Sequence, residues 1–291
     1  GLTWQLSSAL DNAFVHRLNV FIGRMQREGV LTHLSERYFG HMKQLARPDI
    51  EGLLQKRQTE LPQYMALFQA AEQRSGIDWR LLAAIGYQES HWDAMAVSPA
   101  GARGLMMLTA AAAEHFKVSN RHDAQASITG GADLLRYLKE SLPSNIGEPD
   151  RTWIALAAYN AGPAHVQDAA LLARRLGRDS NRWLDIREML LLLREPRYYR
   201  TVKYGYVRGL ETVRYTEAVR TYFDILVRFE EPFIPLFPAT DSRVMVSNPG
   251  EHPLSLEGGL RSAGQQTLSR RRPLFLGPPY VTASASWSAG G

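Results

Sequence analysis

From residue 61 to about 229 the apolar positions recur at intervals of three and four, the period of helices that bury one face. Glycine or proline interrupts these runs at Gly76, between Pro99 and Gly104, at Gly130 and Gly131, between Pro143 and Gly147, and at Gly162 and Pro163. Strand-like alternation is nearly absent. The pattern predicts an all-α domain over 61–237, a normal size for a single core. Ahead of it, residues 18–40 read as a helix ending at Gly29 and a shorter one ending at Gly40, each glycine standing where helices commonly stop. A polar, weakly patterned stretch follows from His41 to about Thr59. Beyond Pro235 the chain is rich in Pro, Gly and Ser without periodicity, so 238–291 read as a disordered tail.

One position breaks the apolar pattern. In a helix read over 79–91 and capped by Asp78, the stripe Leu82, Ile85, Glu89, Trp92 carries a carboxylate where an aliphatic residue belongs. Glu89 falls in the last turn, where the helix dipole is negative and gives a carboxylate no help. Burial there would raise its pKa toward neutrality, the range of a general acid working near pH 7. Taken alone, a helical glutamate is more commonly a surface residue on a rotated stripe.

Three further stretches bear on that choice. After Ser98-Pro99-Ala100-Gly101, which is turn chemistry, Gly104 opens a second apolar, helix-like run. Small residues just past a carboxylate let backbone approach a flat ligand, although a plain interhelical loop fits equally well. The helix containing Trp153 ends in Tyr159 and Asn160, with Gly162 in the cap zone and Pro163 opening the next helix. Their polar atoms need partners, from a hydroxyl-rich ligand or from neighbouring backbone. Tyr215 precedes Val219 by four, Tyr222 by seven and Phe223 by eight, so it faces the core side of the last long helix. Its phenol there serves a buried carboxylate or only packs.

Composition removes several classes. There is no cysteine, hence no disulfide framework, thiol nucleophile or thiolate metal site. The eight histidines form no HExxH or comparable spacing, so a metal site is not expected. No apolar run is long enough to span a bilayer. The net charge is +5, but basic residues are scattered, with one tight cluster at 269–273, and no nucleic-acid module is recognisable. The chain begins at Gly1 without an initiator Met or hydrophobic signal, and so reads as a piece of something longer.

Glu89-Ser90, Gly104-Leu105-Met106-Met107, Ala158-Tyr159-Asn160-Ala161-Gly162 and Glu211-Thr212-Val213-Arg214-Tyr215 follow one another in the chain. Together they resemble the motifs of the lytic transglycosylases, whose catalytic domain shares the goose-type lysozyme fold. The resemblance implies an all-α, lysozyme-like domain cutting peptidoglycan strands. Glu89 would be the sole acid/base and Tyr215 the hydroxyl that positions it, with Ser90, Gly104, Met106, Met107, Tyr159 and Asn160 lining the glycan cleft. Met107 stands where the family usually has glutamine, which removes an amide contact but leaves the carboxylate chemistry intact.

That variant is similar to a branch carrying a solute-binding-protein-like module before the catalytic domain. Residues 1–45 would be the end of such a module and 46–60 the connector. The resemblance further implies a monomer in the bacterial periplasm, peripheral to the outer membrane through an anchor upstream, with no nucleic-acid partner. The family reaction cleaves the β-1,4 bond between N-acetylmuramic acid and N-acetylglucosamine without water, leaving 1,6-anhydromuramyl ends, and the resemblance implies no metal or organic cofactor. Two rivals remain. One is hydrolysis on the same scaffold, favoured by a second carboxylate opposite Glu89, for which Asp93 is the nearest in sequence. The other is a non-catalytic wall binder, which an intact Glu89–Tyr215 pair argues against.

Overall fold

The computed structural model describes residues 11–31, 34–35 and 47–234. The helix end expected at Gly40 and the tail expected over 238–291 lie outside these residues. Among the described residues the regular structure is helical: α1 (Asn12–Arg27), α2 (Arg47–Thr59), α3 (Leu61–Ser75), α4 (Trp79–Ser90), α5 (Ala110–His115), α6 (Ala124–Ser141), α7 (Asp150–Ala161), α8 (Pro163–Arg175), α9 (Trp183–Leu192), α10 (Pro196–Tyr199) and α11 (Gly209–Phe229). α1 buries none of its residues. The apolar core is built from α2 onward.

α4 is the axis of the domain. It packs against α11, α3 and α6, and every residue from Leu81 to Tyr87 is buried. The expected one-sided stripe is therefore corrected: α4 is apolar all round because it is enclosed all round. Beyond Arg80 in its first turn, it reaches partly accessible space only in its last turn, at Gln88 and Glu89. The helix also ends sooner than the pattern suggests. His91 and Trp92 both take left-handed backbone, φ 52° and 62°, and Trp92 folds back so that its Nε1–H donates to the Ala83 carbonyl at 2.8 Å. Trp92 thus joins the core from beyond the helix rather than from its face.

Three other elements differ from the pattern. The run after Gly104 is not a helix but a tight turn, closed by reciprocal Arg103–Leu108 backbone hydrogen bonds of 3.0 Å; the helix begins only at Ala110, capped by Thr109. Gly130 and Gly131 do not end a helix but lie inside α6, where added Cβ atoms would come within 2.6 Å of Val118 and 2.7 Å of Met106. They are glycine because neighbouring side chains fill that space. Within the weakly patterned stretch up to Thr59, Arg47–Thr59 forms α2, whose Leu53 is fully buried against α3. One anchoring residue makes no stripe, which is why the pattern there is faint.

α11 is held by a buried ionic set. Glu217 is fully buried, accepting from Trp183 Nε1 of α9 at 2.9 Å and from the Arg220 guanidinium at 2.8 Å. Each charge has its counterpart, which is the condition for carrying ions in a core. This set fixes the rotation of α11, and with it the direction of Tyr215 two residues earlier.

Candidate active site

Local chemistry sets the end of α4. Asp78 caps its start, accepting from the Arg80 amide at 2.9 Å, and twelve residues later the helix stops where Gly86 and Tyr87 carbonyls take the Trp92 and His91 amides. Glu89 is thereby presented at the mouth of the core, with α11 and α7 on either side. Its Oε1 accepts from the Tyr215 hydroxyl at 2.7 Å, a charge-assisted distance. Burial raises the Glu89 pKa from 4.5 to about 7, with the Tyr215 hydrogen bond pulling the other way. The phenols of Tyr215 and Tyr159 are both pushed well above 10, first by burial and then by the charge of Glu89. One carboxyl poised near neutrality is thus flanked by two phenols that remain protonated.

The second wall is the turn after Arg103. Gly104 has φ +80°, and a Cβ there would lie 1.7 Å from the Arg121 carbonyl oxygen, so only glycine fits. Met107 also takes left-handed backbone, φ 48°. Three helices grip this turn by its backbone. Ser90 Oγ of α4 donates to the Leu105 carbonyl at 2.9 Å, Tyr159 Oη of α7 donates to the Met106 carbonyl at 2.9 Å, and Ser127 Oγ of α6 accepts the Met106 amide at 3.1 Å.

Of the residues singled out from sequence, Glu89, Tyr215 and Tyr159 converge, and the Gly104–Met107 turn lies against them. Ser90 is buried and acts on backbone, and Met106 is fully buried beneath Gly131. Met107 is half-buried, and Asn160 is exposed at the last turn of α7. Asp93 is exposed, with its Oδ1 accepting the Met95 amide at 2.8 Å in a local turn. Sequence reasoning missed Ser127 and also Arg121, whose guanidinium donates to the Gly101 and Leu108 carbonyls at 3.0 Å. The available signal for Ser127 was a hydroxyl one residue before Ile128 on the apolar face of α6. Among the described residues no group of three or more His, Asp or Glu is placed to hold a metal ion.

Residues 66–181 match the family model for the transglycosylase SLT domain, so the helical domain carrying Glu89 is of that class. About four fifths of the chain is similar to membrane-bound lytic murein transglycosylase F. It is 46% identical over 238 residues to the protein of that name from Nitrosospira multiformis, covering 82% of this chain and 50% of that one. It is 49% identical over 235 residues to that of Thiobacillus denitrificans, covering 81% and 50%. The chain therefore spans about half the length of the curated relatives it matches. A solved structure, the 70 kDa soluble lytic transglycosylase of Escherichia coli, aligns over 57% of this chain and 24% of its own with a TM-score of 0.42 at 24% identity.

Proposed function

We propose that this chain is a peptidoglycan lytic transglycosylase, acting on the β-1,4 bond between N-acetylmuramic acid and N-acetylglucosamine and serving cell-wall turnover. The observation that carries the reading is Glu89, held by the Tyr215 hydroxyl at 2.7 Å with its pKa raised to about 7. The relatives' printed names support the substrate class. Protonated near neutral pH, Glu89 donates to the leaving glycosidic oxygen. The sugar's own 2-acetamido group stabilises the oxocarbenium-like centre, as in glycosidases that work without a second enzymic carboxylate. Ionised Glu89, steadied by Tyr215, then takes the proton from the muramyl C6 hydroxyl, which closes on C1. The tethered hydroxyl competes at high effective molarity against water, so one carboxylate serves both steps.

In this reading Tyr159 and Met107 line the glycan cleft, with Gly104, Met106 and Ser90 behind them and Asn160 at its rim. Residues 1–45 close a solute-binding-protein-like module, 46–60 connect it, and 61–237 form the catalytic domain. The enzyme works as a monomer in the periplasm at the outer membrane; the relatives' names support the association with a membrane. Digestion of purified sacculi in oxygen-18 water, read by mass spectrometry, is the test. The expected products carry unlabelled 1,6-anhydromuramyl ends, lighter than hydrolysis products by one water. Labelled reducing muramyl ends as the main product would make the enzyme a muramidase, leaving Glu89 as its acid.

A further inference from the structure

The connector between α10 and α11 is built more firmly than a surface loop requires. Asp168, in the middle of α8, is 2% exposed, and its carboxylate accepts three consecutive backbone amides: Lys203 at 3.2 Å, Tyr204 at 2.7 Å and Gly205 at 3.0 Å. Arg175, two turns further along the same helix, donates to the Thr201 carbonyl at 2.7 Å. Val207 is buried, and Val202 packs on the core. The aliphatic side chains of the loop thus turn inward, while its aromatics turn out. Tyr204 is 43% and Tyr206 55% exposed. Tyr206 meets Tyr199 edge-on with ring centroids 5.9 Å apart, and Lys203 Nζ lies 5.0 Å from the centre of the Tyr204 ring.

A buried carboxylate spent on ordering three amides fixes the loop in advance of any ligand, so binding by its side chains meets little ordering entropy. The exposed side chains include Tyr204 and Tyr206, with Lys203 beside the Tyr204 ring and exposed Arg200 and Arg208 close in sequence, Arg208 lying 3.6 Å from Glu211. Ring faces with hydroxyl tips match the mixed C–H and hydroxyl surface of a pyranose. A patch for another protein would show aliphatic side chains as well, and here those are inside.

The loop is also near the reacting carboxyl. Tyr215 lies six residues into α11, about 9 Å along the helix from Gly209 where the loop ends, and Asp168 lies about 8 Å from the start of α8, which follows directly on α7. We propose that Tyr204 and Tyr206, set by Asp168, form a sugar-stacking platform for the glycan strand beyond the bond that Glu89 cleaves. Lys203 and its neighbouring arginines meet the carboxylates that hang from that strand. This inference rests on the transglycosylase reading, and names how the substrate is held a few rings from the scissile bond.

The test uses the whole chain. In a Glu89→Gln background, which binds without cleaving, pelleting with purified sacculi is compared for the parent and for added Tyr204→Ala/Tyr206→Ala. The pair of alanines is expected to weaken binding roughly tenfold at unchanged melting temperature. Tyr204→Phe/Tyr206→Phe, which keeps the ring faces, is expected to bind like the parent. In the active enzyme the alanine pair raises KM for long strands with little change in kcat, and Asp168→Asn, a change at a positioning residue, gives the same split in milder form. Unchanged pelleting and KM for the alanine pair, in a protein that still cleaves sacculi, overturn the platform and leave the catalytic reading standing. Loss of binding in the phenylalanine pair equal to that in the alanine pair overturns stacking. If the unsubstituted chain neither cleaves nor pellets with sacculi, both proposals fall together.

Discussion

Replacing Glu89 by Gln should abolish turnover and, above neutral pH, make the protein more stable. The carboxyl titrates near 4.5 in an unfolded chain and at about 7 in the fold, because burial penalises its charged form. Below about pH 4.5 it is protonated in both states, so wild type and variant have equal standing. Between the two values the unfolded chain ionises while the fold still holds the proton, and wild type loses stability as pH rises. Above about 7 the loss is complete. Each pKa unit corresponds to about 1.4 kcal/mol, giving roughly 3 kcal/mol for a sealed site. The side chain keeps a partly accessible edge that water screens, which brings the figure to about 1–2 kcal/mol. Glutamine keeps the shape and still accepts from Tyr215, but has no such penalty. For a domain of this size the variant should melt roughly 2–8 °C higher at pH 8 and level with wild type at pH 4. Thermal melts across that range, beside an activity assay on sacculi showing a loss of several orders of magnitude, check both halves. A gap that is absent at pH 8, or reversed, would refute the burial argument. Retained turnover would refute the acid.

Tyr215→Phe removes the one hydrogen bond that lowers the Glu89 pKa. The alkaline limb of the kcat/KM profile should therefore move to higher pH, while kcat/KM at its maximum falls about 10- to 100-fold, the worth of a hydrogen bond to a charged group. Gly104→Ala places a methyl 1.7 Å from the Arg121 carbonyl on a backbone of φ +80°. It should destabilise by about 3 kcal/mol or more, read as a drop in the urea midpoint. Glu217→Leu removes the buried carboxylate that the Arg220 guanidinium and Trp183 Nε1 both donate to, and should destabilise by about 3–5 kcal/mol in the same assay.

How much of this was visible in the sequence depends on the range of the forces involved. The Asp78 cap, the stop at Gly162 and Pro163, and the placement of Tyr215 on a core face were legible because each is decided within one or two helical turns. The out-of-place carboxylate at 89 was legible for the same reason. The turn after Gly104 was not: Leu105, Met106, Met107 and Leu108 read as helix, and distant partners, Ser90, Ser127, Tyr159 and Arg121, help to hold them in a turn instead. Nor does any local signal announce that Met107 adopts positive φ. Asp168 and the loop it orders are 35 residues apart in sequence, so its role needed the fold. The enclosure of α4 was legible as hydrophobicity but was misread as a face, since a buried helix and an amphipathic one share the same apolar positions.

The turn held by Ser90, Ser127 and Tyr159 has a consequence for the unfinished chain. Beyond the Arg103–Leu108 backbone pair that closes it, the turn belongs to no helix or extended sheet, and its backbone is fixed beside Glu89 only once α4, α6 and α7 have docked. No native-like fragment lacking one of those helices can assemble this wall beside Glu89, so a partly folded molecule should be catalytically silent. The Met106 amide, donated to Ser127 inside that assembly, should exchange its hydrogen only when the whole domain opens. A wall-cutting enzyme would in this way acquire its activity late, at the moment its core closes.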